Sequence, residues 1–181
     1  MKKIVFSAVV LLMMPVLASA QIVVEPFVGA CFPTHNAAGK ETVGPLFGVA
    51  VRYALPDIPV DLGAEAGLSI AFRNKAFLRE SGSYDDWALR TFSLALTGDY
   101  LFRNDSRFTP FVGVGCGLAQ RVEILPSLGD HTDASEWGFI ATPRAGVQVG
   151  KHLRFTLDMR VTQKDFNTVG LRVGYAFGGR R

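Results

Sequence analysis

The sequence predicts an all-β fold, an eight-stranded antiparallel up-and-down transmembrane β-barrel. Three observations carry this. Eight segments alternate polar and apolar residues with a period of two, no helical segment lies between them, and the connections alternate long and short. Composition agrees with a single folded domain: of 181 residues 49% are hydrophobic, and only 2 are Cys, which argues against disorder and against a disulfide scaffold. Lys and Arg number 19 against 16 Asp and Glu, and they are scattered singly among acids. Nucleic-acid binding is therefore not expected.

Residues 1–20 read as a cleaved signal peptide. Lys2 and Lys3 form a positive start, Ile4 to Leu17 an apolar stretch, and Ala18-Ser19-Ala20 a small-residue cleavage site. The stretch is shorter than the about 20 residues that a helix needs to cross a hydrocarbon core. Beyond it, Glu25, Arg52, Asp61, Glu65, Asp99 and Arg144 interrupt every candidate helical span. The chain from residue 21 is then either soluble or crosses a membrane as strands.

The first expected strand, 21–31, carries Glu25 on its polar parity, and the second, 45–55, opposes Arg52 to Phe47, Val49, Val51 and Tyr53. In 61–73, Asp61, Gly63, Glu65, Gly67, Ser69, Ala71 and Arg73 share one face, and Leu62, Ala64, Ala66, Leu68, Ile70 and Phe72 the other. The segment 89–102 sets Asp99 against Phe92, Leu94 and Leu96; 108–120 presents Val112 and Val114; 138–150 sets Arg144 against Phe139, Val147 and Val149. In 153–162, Leu153, Phe155, Leu157, Met159 and Val161 oppose Arg154, Thr156, Asp158, Arg160 and Thr162. The last segment, 168–177, opposes Arg172 to Val169, Leu171, Val173, Tyr175 and Phe177.

Connections 32–44, 74–88 and 121–137 are long, 163–167 is moderate, and 56–60, 103–107 and 151–152 are short. A barrel with both termini on one side puts all the long ones on the other side, as membrane barrels do. Large aromatics cluster at both strand ends. Tyr53, Tyr100, Phe102, Phe108, Phe155, Tyr175 and Phe177 fall at the short-turn end, and Phe32, Phe47, Phe72, Trp87, Trp137 and Phe139 at the other. Two such girdles match the two headgroup levels of a bilayer. On this reading the apolar parity faces lipid and the polar parity lines the interior: Glu25, Arg52, Asp61, Glu65, Arg73, Asp99, Arg144, Arg154, Asp158, Arg160 and Arg172, acids and bases nearly balanced. A structural plug, a gate and a narrow solute path are the roles open to this set.

The chain resembles the small OmpA/OmpX-type outer-membrane barrels of Gram-negative bacteria over residues 21–177. The last strand carries the most specific part. Thr168, Gly170, Val173, Tyr175 and Phe177 look like the C-terminal signal read by the barrel-assembly machinery, although a short tail, 178–181, follows the aromatic where relatives commonly stop. The resemblance implies an outer-membrane location, lipid and lipopolysaccharide as surroundings, a monomer, no cofactor, and an envelope-structural or surface-loop binding role. It also admits a small gated pore or a lipid A-modifying hydrolase. The second is drawn by His35, His131 and His152 and by the segment Asp130 to Glu136, which holds an imidazole, a hydroxyl and carboxylates. Neighbouring residues in a polar loop rarely hold catalytic geometry, so a non-enzymatic protein with no metal site is expected. Cys31 and Cys116, on opposite faces of distant strands, are not expected to pair. Gly39-Lys40 lacks the flanking residues of a phosphate loop, and Asn104-Asp105-Ser106 is a glycosylation match without a context.

Overall fold

Strict alternation gives each strand one apolar and one polar face, and a sheet of such strands hides its polar face by curling shut. The computed structural model describes residues 22–34, 41–73, 88–124, 135–162 and 167–178. Its strands are β1 (Ile22–Pro33), β2 (Glu41–Thr42), β3 (Gly44–Ala54), β4 (Val60–Arg73), β5 (Ala88–Leu101), β6 (Phe108–Ile124), β7 (Ser135–Val149), β8 (Leu153–Thr162) and β9 (Thr168–Tyr175). Every neighbouring pair is antiparallel. β1 joins β9, and β4 joins β5, so that eight strands form a closed ring, while the two-residue β2 adds to the upper edge of β4. Closure leaves no long edge to pair with another chain.

Segments 1–20, 74–87, 125–134 and 163–166 lie outside the described residues, and with them the expected signal peptide, His131 and most of the long connections. Two expectations about the connections need correction. Strands β6 and β7 run on to Ile124 and from Ser135, so both ends of the segment expected as a loop over 121–137 belong to strands, and 125–134 lie outside the described residues. The alternation continues there, and Arg121 meets Glu136 across the ladder. In the other, part of the segment expected as a loop over 32–44 returns as β2, opposite Phe72 and Arg73.

The outward face is apolar around the ring. Val49, Val51, Leu62, Leu94, Leu96, Val112, Val114, Leu118, Leu157, Leu171 and Val173 are all exposed, Leu96 at 67%. Water-soluble monomers rarely expose contiguous apolar area beyond a few hundred Å². At the short-turn end Tyr53, Tyr100, Phe102, Phe108, Phe155, Tyr175 and Phe177 all point outward. Tyr100 packs edge-on to Phe102 with ring centroids 5.2 Å apart, and Tyr175 lies 4.8 Å from Phe177. Phe32, Phe47, Trp137 and Phe139 are exposed toward the other end; Trp87 and the Phe72 side chain lie outside the described part.

The chain end closes the ring as well. β9 stops at Tyr175, two residues earlier than expected, yet Phe177 still bridges to Val24, its N–H donating to the Val24 carbonyl at 2.8 Å. Of the expected assembly-signal residues, Val173, Tyr175 and Phe177 face outward and Gly170 faces inward, with Thr168 at the upper rim. Gly178, with φ of 103°, sits where a side chain would be strained.

Candidate functional site

The interior is where chemistry-bearing side chains converge. Ten of the eleven residues expected inside are buried in the lumen; the eleventh, Arg73, pairs through its backbone with Glu41 at the upper rim, and its side chain lies outside the described part. The ten form one string with strictly alternating sign. Glu25 pairs with Arg52, and Arg52 Nη1 donates to Asp61 Oδ2 at 3.0 Å. Asp61 lies 4.0 Å from Arg154 Nη1, and Arg154 Nη2 donates to Asp99. Arg144 grips Asp99 side-on, with Nε to Oδ1 at 2.6 Å and Nη2 to Oδ2 at 2.8 Å, and reaches Glu65 Oε2 through Nη1 at 2.8 Å. Arg172 Nη2 donates to the same Glu65 oxygen at 3.0 Å. Asp158 completes the string, 3.6 Å from Arg172 Nε and 3.4 Å from Arg160 Nε.

Five carboxylates and five guanidiniums leave the string neutral, which burial demands, since an unpaired buried ion costs several kcal/mol. The planar fork of Arg suits this role, because one side chain holds two acids at fixed angles. Asp158 is paired with Arg160 and Arg172 but not with Arg154, its neighbour on the same face of β8. Arg154 turns to Asp99 and Asp61 instead, because its guanidinium carbon is seated 3.6 Å from the ring centroid of Phe111. Arg172 is seated likewise, 4.5 Å from the ring centroid of Phe27. These two buried rings were missed in the sequence. Their signal was parity, since Phe27 shares the face of Glu25, and Phe111 shares that of Gly113.

Small residues make room for the string. A Cβ on Gly170 would lie 2.7 Å from Asp158 Oδ1, and one on Gly113 would overlap Asp99 Oδ1. Leu101 and Phe111, both fully buried, fill the short-turn end. Toward the long-connection end lies a cavity whose walls include Cys31, Ser69, Ser93, Ala119, Ile140 and Arg160.

The cysteines are free, Cys31 facing the lumen and Cys116 exposed on the outer face. His152 stands in the short turn between β7 and β8, its Nδ1 3.0 Å from the Ala176 carbonyl oxygen and its ring stacked on Tyr175. His35 and residues 130–134 lie outside the described part. Among the described residues no cluster of three His, Cys, Asp or Glu side chains is placed to hold a metal ion.

No family model matches the sequence, and no curated protein does. Solved structures match the fold. Neisserial surface protein A superposes with a TM-score of 0.60 at 14% identity, covering 87% of this chain and 96% of that one. Ail of Yersinia pestis, in complex with the heparin analogue sucrose octasulfate, gives 0.51 at 13% identity over 87% of this chain and 99% of its own. The outer membrane protein OprG from Pseudomonas aeruginosa gives 0.50 at 12% identity, with 90% and 98% covered. With its ring closed by β1 on β9, its apolar exterior and its ionic interior, the chain is a small eight-stranded β-barrel of the outer-membrane type.

Proposed function

We propose that the protein is a closed scaffold of the outer membrane, exported by cleavage after Ala20, monomeric and non-catalytic. Its long connections make the outward contacts, in envelope support or in surface binding. The observation that supports this reading is the unbroken ionic string from Glu25 to Arg160. An eight-stranded barrel encloses little more than its own side chains. An ion passing through this one would have to part buried pairs and displace Leu101 and Phe111 below them. Chemistry is disfavoured by the position of His152, which is held by a backbone carbonyl at the short-turn end, away from the outer rim where a lipid-modifying site would sit. The Ail complex makes a sulfated saccharide the first ligand class to offer the connections.

Two measurements test the reading together. Membrane fractionation followed by a heat-modifiability gel should place the protein in the outer membrane, with the unboiled band migrating apart from the boiled one. In planar bilayers it should show no steady open-channel conductance. A stable conducting state overturns the scaffold in favour of a pore.

A further inference from the structure

The string of alternating charges ends on a cation that is only partly used. Arg160 is 5% exposed, and its Nε faces Asp158 at 3.4 Å, but neither Nη1 nor Nη2 has a hydrogen-bond partner among the described residues. Both belong to a side chain that lines the upper cavity. The walls are mixed: Ser69, Ser93, Thr91 and Thr162 bring hydroxyls, and Ala71, Ala119 and Ile140 supply apolar surface among them. Arg121 stands at the upper side, opposite Glu136 in the ladder. The charges nearest Arg160 are Asp158, which it shares with Arg172, and Glu65, which Arg172 and Arg144 already hold; Arg121 lines the same cavity.

We propose that this cavity binds a small organic carboxylate, its anionic head on the Arg160 guanidinium and its short hydrocarbon tail against Ala119 and Ile140. The head takes the next place in the alternation of sign, after Arg172, Asp158 and Arg160. A guanidinium edge with two free N–H groups matches a carboxylate in a bidentate pair. A lining that mixes hydroxyls with the methyl groups of Ala119 and Ile140 matches an amphipathic acid better than an inorganic anion, whose oxygens would face those methyl groups. Gly67 keeps the head region open, since a Cβ there would lie 3.4 Å from Arg160 Nη2 and 3.1 Å from Ser93 Oγ. The site is separate from whatever the outward connections bind, and its test is independent of that reading.

The experiment is calorimetric titration of the refolded barrel in detergent with acetate, propionate and butyrate, and with butylammonium and inorganic phosphate. Butyrate should saturate at one per chain. Affinity should rise up to about fourfold per added methylene, the change that full burial of a CH₂ brings, and butylammonium should not bind. Arg160→Gln should weaken butyrate at least about tenfold, the loss of one charge-assisted pair. Ala119→Leu, which fills the cavity and leaves all ten ionic side chains in place, should abolish binding by itself. Absence of saturable butyrate binding overturns the proposal, as does undiminished binding in either folded variant. Phosphate binding as tight as butyrate, or a flat series from acetate to butyrate, overturns the assignment to a carboxylate with a tail.

Discussion

Arg144 and Asp99 form a side-on pair across the full width of an intervening strand. They stand on β7 and β5, and between them in the ladder is Gly113 of β6, paired in register with both. Strands two apart are separated by about 9.5 Å, so the two side chains meet only because nothing projects from position 113. Gly113→Ala should therefore disrupt the centre of the string. Overpacking costs about 1–3 kcal/mol, and the crowding here involves the Asp99 carboxylate and the Gly98 carbonyl at once, which puts the loss at the upper end. Gly138→Ala, where a Cβ meets nothing within 4 Å, is the control and should refold like the parent on a heat-modifiability gel.

The centre of the string should be stronger than its Asp158 end. Asp99 holds Arg144 through two bonds and Arg154 through a third, whereas Asp158 approaches its two guanidiniums only at 3.4 and 3.6 Å. Asp99→Asn should cost about 3–5 kcal/mol, the usual result of stranding a buried partner. Asp158→Asn should cost less. Urea unfolding in lipid vesicles measures both, and equal losses would show that distance within the string does not set its energetics.

Depth should govern the outer face. Leu96 is the most exposed apolar residue described on β5 and lies mid-strand, whereas Leu153 opens β8 at the short-turn end. Leu96→Arg should lose about 2–4 kcal/mol in a bilayer, and Leu153→Arg about 0–1 kcal/mol. Refolding yields in vesicles compare them directly. Similar losses at both positions would mean that the belt does not span hydrocarbon.

Sidedness follows from the ring. Both termini lie at the short-turn end, so protease added to intact cells should cut within 74–87 or 125–134 and spare the turns at 103–107 and 150–152. Mapping the fragments by mass decides it, and cleavage confined to those turns would invert the protein.

Much of this was legible in the chain because a barrel strand repeats every two residues, and a parity needs no partner to be read. Leu153 to Thr162 shows its lipid face and its ionic face directly, and so do 61–73. The identity of the interior charges came from parity alone. Which of them pair did not, because pairing depends on register and on the shear of the ring. Asp158 and Arg154 are four residues apart on one face, yet Arg154 reaches Asp99 on another strand. Nothing local marks Gly113 as the space between Asp99 and Arg144, or Phe111 as the seat of Arg154. The unused edge of Arg160 arises the same way, from closure of the ring, which brings Ser69, Ser93, Ala119 and Ile140 from four strands around one guanidinium. The sequence by itself determined the faces, the strand number and the sorting of the connections, since these rest on local periodicity. Only the tertiary structure decided the order of the ionic string and the cavity at its end, because both are set by how far each strand slides past the next when the barrel closes.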